Sequence, residues 1–167
     1  MRCIAESVPS PHSRLPSTPY EAGLREFNLR DIPRLAEIVA DALHERYEPS
    51  LYATLSQQWP EGFLVAADPS DRPAGFLLGV SQVEHEARIL MFAVDQGWRA
   101  RGVGTRLMQE FLQRARTRGL RRVTLEVRVS NATAIRFYTR FHFSVIDRLP
   151  AYYSDGENGY QMSRDLG

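Results

Sequence analysis

Apolar and polar residues along this chain follow two periods, and the switches between them mark its elements. Ile32, Leu35, Ile38, Val39 and Leu43 stand at helical spacing. Asp31 is placed to cap that helix, and Pro33 falls in its first turn, where proline is tolerated. A second helix is predicted over residues 49–58. A first short strand is predicted over residues 24–28. Phe63–Ala67 and residues 74–83 read as strands joined by a turn-rich segment from Asp68 to Pro73. Residues 89–94 are apolar at every position, which suits a central strand covered on both faces. Val103, Leu107, Met108, Phe111, Leu112 and Ala115 then line one face of a helix. Arg106, Glu110, Gln113 and Arg114 line the other, and Gly119 is placed to end it. Val123, Leu125, Val127 and Val129 alternate with Thr124, Glu126 and Arg128, the period of a strand. Asn131 can cap a further helix reaching Phe141, and residues 143–149 and 159–164 are closing strands. The order β-α-α-β-β-β-α-β-α-β-β predicts a mixed α/β fold around one sheet.

Composition narrows this picture. Residues 1–20 are rich in Ser and Pro and read as a flexible leader; residues 21–167 read as one domain with its own core. A net charge of +1, from 21 basic and 20 acidic residues, supplies no global field for nucleic acid. Cys3 is the only cysteine, so no intramolecular disulfide can form and a cytoplasmic location is expected. No apolar stretch approaches the roughly 20 residues of a membrane span. No His, Cys or carboxylate spacing suggests a metal site.

The candidate chemistry begins after residues 89–94. There Arg99, Ala100, Arg101, Gly102, Val103, Gly104 and Thr105 form a glycine-containing loop that opens a helix. Such a turn presents free N–H groups at the positive end of a helix dipole, a geometry that binds phosphate. Gly102 and Gly104 let the backbone approach a ligand closely, and Arg99 and Arg101 add charge. A plain strand-to-helix turn with solvated arginines is the alternative. No Lys-Ser/Thr follows the glycine and no third glycine is present, which removes the Walker loop and the dinucleotide fingerprint.

A second motif lies downstream. Ser130-Asn131, Ala134, Phe137-Tyr138 and Phe143 follow the Arg99-x-x-Gly102-x-Gly104 loop. Two spaced motifs in this order resemble the GNAT acyltransferase superfamily over residues 24–166. The resemblance implies a mostly antiparallel mixed sheet, helices on both faces, and a splay between two central parallel strands. It implies acetyl-CoA as co-substrate. The loop from Arg99 to Thr105 would hold the pyrophosphate, and the backbone of Phe92, Ala93 and Val94 would pair with pantetheine. The residue matching Asn131 contacts the cofactor. The residue matching Tyr138 sits near its sulfur, where a hydroxyl can protonate the departing thiolate. A core aromatic is the alternative for Tyr138.

Within that superfamily the chain is most similar to the ribosomal-protein and Ard1-like N-alpha-acetyltransferases. Leu125-Glu126-Val127-Arg128 precedes Ser130-Asn131, and the carboxylate matching Glu126 is a candidate general base. Its alternative is a sheet-face carboxylate paired with Arg128 or a neighbouring strand. Glu45-Arg46-Tyr47, with Trp59-Pro60 further on, resembles the loop that cradles the substrate N-terminus, which makes Glu45 and Tyr47 candidate substrate contacts. Tyr152-Tyr153-Ser154-Asp155-Gly156-Glu157 resembles the hairpin whose tyrosines wall the peptide groove. Otherwise its Asp-Gly and Asn-Gly pairs merely make turns.

The implied partner is therefore a protein N-terminus, with a ribosome or auxiliary subunit as a further contact and a monomer or weak dimer as the working state. His142 departs from the glycine common in that helix-end position, although histidine can adopt the left-handed turn. Three rivals remain: a GNAT enzyme acting on a small amine or lysine, a non-catalytic CoA-binding module, and a nucleic-acid binder. The last rests only on Arg114, Arg116, Arg118, Arg121 and Arg122, which also read as a solvated face or a ribosome-contact patch.

Overall fold

The computed structural model describes residues 22–167 and a two-residue strand, β1 (Ile4–Ala5). Apart from that strand, the leader expected over residues 1–20 lies outside the described residues. The other strands are β2 (Gly23–Glu26), β3 (Phe63–Ala67), β4 (Pro73–Val83), β5 (Glu86–Val94), β6 (Arg122–Arg128), β7 (Ser144–Leu149) and β8 (Gly159–Asp165). The α-helices are α1 (Ile32–Leu43), α2 (Pro49–Ser56), α3 (Val103–Thr117) and α4 (Ala132–Arg140). The sheet runs β2-β3-β4-β5-β6-β8-β7, with β1 set against β5. Its neighbours are antiparallel except the central β5–β6 pair and β1–β5. This is the mixed, mostly antiparallel sheet expected of the sequence. No helix among the described residues is long and apolar enough to cross a membrane.

The sheet divides two apolar clusters. Leu107, Met108 and Phe111 of α3 and Phe137 and Tyr138 of α4 pack on Val123, Leu125 and Val127. On the other face Leu35, Ile38, Val39, Tyr52 and Leu55 of α1 and α2 meet Phe76, Leu78 and Leu90. Every residue of the apolar run in β5 is used. Ile89, Phe92 and Val94 enter the first cluster; Leu90, Met91 and Ala93 enter the second.

Two consecutive residues, Leu90 and Met91, share a face because β5 is bulged. The register with β4 passes from Leu78↔Met91 to Gly79↔Ile89 and leaves Leu90 without a partner. An extra residue bends the bulged strand and sharpens its twist. The same place separates β5 from β6. Their parallel ladder holds only Glu86↔Arg122, Ala87↔Val123 and Arg88↔Thr124, and beyond Arg88 the strands splay. Since β4 holds one edge of β5 at Met91 and Phe92, Ile4–Ala5 lies on the edge that faces β6.

Helix ends follow local chemistry, with one correction. Asp31 does not cap α1 through its side chain. Asn28 caps the turn before it instead, and Asp31 closes the reciprocal half of that capping box, its carboxylate accepting from the Asn28 N–H at 2.8 Å. Asp31 is also drawn toward Arg25, which forks onto both its oxygens at 2.8 Å. At the end of α4, His142 adopts φ 62°, and the Phe143 N–H returns to the Tyr138 carbonyl at 3.0 Å. That is the left-handed helix stop normally given to glycine.

Candidate active site

The phosphate-type loop sits where β5 hands over to α3. Gly102 holds φ 76° and precedes the helix, and a Cβ there would meet nothing within 4 Å. The backbone is thus open on its outer side. Gly104 differs: a Cβ there would lie 3.3 Å from the Phe92 ring, so this residue lets the first turn of α3 press against β5. The first-turn N–H groups of α3 point out of the N-terminus, where they favour an anion. Arg101 stacks 5.1 Å from the Trp98 ring. Arg99 folds back, its Nε donating to the Val94 carbonyl at 3.0 Å, and so pins the end of β5 to the loop. The edge of β5 that faces β6 carries Ile4–Ala5 at Met91 and Phe92, on the strand whose backbone the resemblance assigns to pantetheine.

Tyr138 projects from α4 into the first cluster and is 1% exposed. Phe92, Phe137 and Phe143 surround its ring at 6.5, 5.6 and 5.8 Å. Phe92 belongs to the splayed part of β5, so Tyr138 stands beside the splay. Asn131 uses its side-chain oxygen to accept from the Ala134 N–H at 3.1 Å, capping the helix that carries Tyr138.

The opposite face of the sheet assembles a polar group. Glu126 is 4% exposed, and its carboxylate pairs with a neighbouring strand, the sheet-face alternative raised above. Arg88 on β5 reaches across: its Nη2 lies 2.9 Å from Oε1 and its Nε donates to Oε2 at 3.2 Å. The same Nη2 donates to the Tyr152 hydroxyl at 3.2 Å. Arg88 and Glu126 border a solvent-open cavity of about 190 Å³ that also takes in Gln82, Glu86, Thr124 and Gln161. Arg88 is a functional candidate that the sequence reading passed over. Its one available signal is a cation immediately before an otherwise apolar strand.

Arg128 serves the hairpin instead. Its guanidinium donates to Asp155 Oδ2 at 2.8 Å and Glu157 Oε2 at 2.7 Å, and lies 4.2 Å over the Tyr153 ring. Glu157 also accepts from the Ser130 N–H at 3.0 Å and from its hydroxyl. The Ser130 hydroxyl, then Arg128, hold the Glu157 carboxyl below the ordinary carboxylate range. The hairpin is therefore fastened to the loop that carries Asn131.

Tyr47, Tyr152 and Tyr153 all pack on the second cluster, so the structure brings the α1–α2 loop and the hairpin to one face. Tyr153 is nearly buried there, while Tyr152 is half-buried. Glu45 is half-buried in the same loop. Trp59 departs from the expected cradle. It is 1% exposed in the first cluster, 5.3 Å from Phe111 across the sheet. The basic cluster is partly neutralised: Arg114 pairs with Glu110 and Glu26, and Arg122 pairs with Asp165. No group of three or more His, Cys, Asp or Glu among the described residues could hold a metal.

Comparison with known proteins agrees with this geometry. The family model described as Acetyltransferase (GNAT) family matches residues 32–143. The chain is 32% identical over 155 residues to an N-alpha-acetyltransferase of Sulfolobus acidocaldarius, covering 86% of this chain and 92% of that protein. Among solved structures it is similar to Ard1 from Thermoplasma volcanium, with a TM-score of 0.83 and 41% identity over 87% of this chain and 97% of that one. It is also similar to Chaetomium thermophilum Naa20 in complex with a bisubstrate analogue, with a TM-score of 0.78, 28% identity and 86% of each chain covered.

Proposed function

The chain belongs to the acetyltransferase (GNAT) family, and from that premise we propose that it acetylates the N-terminal α-amine of proteins, using acetyl-CoA. The observation that carries the reading is the splay beyond Arg88. It has a phosphate-type helix N-terminus at one end, Tyr138 on one face and the Glu126–Tyr152 group on the other. The likeness to a structure solved with a bisubstrate analogue supports a two-substrate cleft of this kind.

The chemistry follows from the acceptor. A neutral amine attacks the thioester carbon, a tetrahedral oxyanion forms, and the C–S bond breaks to give amide and thiolate. At pH 7.5 about a quarter of α-amines but only about one lysine in a thousand are neutral, from pKa values near 8.0 and 10.4. Weak base assistance therefore serves an α-amine far better. Glu126 or Glu45 takes the amine proton through water, and Tyr138 donates one to the leaving thiolate. A backbone N–H of the splayed strand stabilises the oxyanion. Transfer is direct, because Cys3, the one cysteine, stands in the leader and the described residues hold no thiol to carry the acyl group.

Release of CoA thiol with a panel of N-terminal peptides tests the proposal. Turnover that requires a free α-amine is the expected result. Equal turnover of N-blocked, lysine-containing peptides would favour the lysine reading instead. The chain itself contains no lysine, so acetyl-lysine found in the reaction comes from the peptide.

A further inference from the structure

Arg88 occupies the last rung of the β5–β6 ladder, opposite Thr124, at the point where the strands begin to part. Its guanidinium engages both oxygens of Glu126 and the hydroxyl of Tyr152, so it ties two strands and the hairpin together. The Glu126 side chain is 5% exposed. A carboxylate at such depth takes up a proton unless a counter-charge holds it. Other polar and charged groups stand around it on the same sheet face. Glu86 on β5 accepts from the Thr124 hydroxyl at 3.2 Å, and Arg128 is drawn to Asp155 and Glu157. Gln161, opposite it on β8, and Tyr152 are uncharged at neutral pH.

We infer that Arg88 is a positioning residue for acyl transfer: it keeps Glu126 an anion and holds the Tyr152 hydroxyl in register with it. The inference rests on the reading of Glu126 and Tyr152 as acceptor-site residues. A bidentate guanidinium suits this work, since its planar fork can serve two acceptors at fixed angles. A lysine ammonium at this position would keep the charge but lose the fork.

The test is the pH dependence of kcat/KM for a peptide substrate. In the native enzyme the acid limb has a slope of about one, set by the acceptor amine. Arg88→Met removes the fork at similar length and takes that counter-charge away from a buried carboxylate, which favours its protonated form. Glu126 then takes up a proton within the acid limb, which steepens toward a slope of two. Adding Glu126→Gln to Arg88→Met must return the slope to one. Arg88→Lys must keep the slope near one yet raise the peptide KM by roughly tenfold, as expected for one lost charge-assisted hydrogen bond. Tyr152→Phe must raise the peptide KM without changing the slope.

A slope of one and a native peptide KM in folded Arg88→Met would overturn the inference. If that variant does not fold, Arg88→Lys decides: native KM and native slope overturn it equally. The underlying reading fails separately. Glu126→Gln with native kcat/KM across the pH range would remove Glu126 from the acceptor site, whereas impairment there with an unaffected Arg88→Met removes only the role of Arg88.

Discussion

Replacing Glu157 by alanine should loosen the peptide wall without touching the reacting atoms. Glu157 accepts from Arg128 at 2.7 Å, from the Ser130 N–H at 3.0 Å and from the Ser130 hydroxyl. Its side chain is 28% exposed, and that of Arg128 is 17% exposed. A fully buried charge-assisted bond is worth about 1.5–3 kcal/mol, but solvent reaches this rim and Asp155 remains to hold Arg128. The net cost is therefore about 2 kcal/mol, or about 4–8 °C in Tm for a domain of this size. Because the hairpin presents Tyr152, the peptide KM should rise several-fold while kcat and the acetyl-CoA KM stay near native.

The acid dependence has a definite sign. The folded pKa of Glu157 is depressed, so its stabilisation is present above the unfolded value near 4.3 and is lost as pH falls through the lower folded value. The difference in Tm between native and variant should hold from pH 7 to 5 and shrink below about pH 4. Thermal melts over that range and steady-state kinetics with both substrates varied are the assay. A variant with native Tm and native peptide KM would refute the clamp.

Four further changes probe other parts. Tyr138→Phe should lower kcat by on the order of a hundredfold while leaving acetyl-CoA affinity unchanged; unaltered turnover would remove its role as acid. Gly104→Glu should weaken acetyl-CoA binding by at least about tenfold in calorimetric titration, because a side chain pressed against Phe92 displaces the first turn of α3 and adds a negative charge beside an anion-binding helix N-terminus. Tyr52→Phe should raise Tm by about 2–4 °C, since the Tyr52 hydroxyl is buried with no hydrogen-bond partner and burial pushes its pKa up to about 12. Removing residues 1–21 should leave Tm unchanged and tighten acetyl-CoA binding, because Ile4–Ala5 covers the β5 edge at Met91 and Phe92; weaker binding would contradict that competition.

The parts legible in the sequence were those written in local pattern. The unbroken apolar run of residues 89–94 suited a strand covered on both faces, and the amphipathic stripe from Val103 to Ala115 suited a helix lying on a sheet; both are found. Helix stops at Gly119 and His142, both at positive φ, were equally local. What escaped were pairings between distant segments. Asn28, not Asp31, caps the turn at α1, because Arg25 competes for the Asp31 carboxylate. Trp59 follows the α1–α2 region in sequence, yet crosses to the far side of the sheet to pack on Phe111. Glu126 and Arg128 share one strand face at neighbouring positions, which makes them look like a pair. A neighbouring strand was the other partner open to Glu126, and Arg88 of β5 takes that place, while Arg128 bonds the hairpin. No spacing along the chain encodes such partners.

The claim at the centre of this account is the choice of acceptor. One peptide carrying a free N-terminal amine and one internal lysine, incubated with enzyme and acetyl-CoA near pH 7.5, puts both amines in one reaction. Tandem mass spectrometry of the product locates the acetyl group. The account predicts acetylation at the α-amine, with lysine essentially unmodified and no product once the N-terminus is blocked. Acetyl-lysine as the main product, or no transfer to any amine, would contradict it.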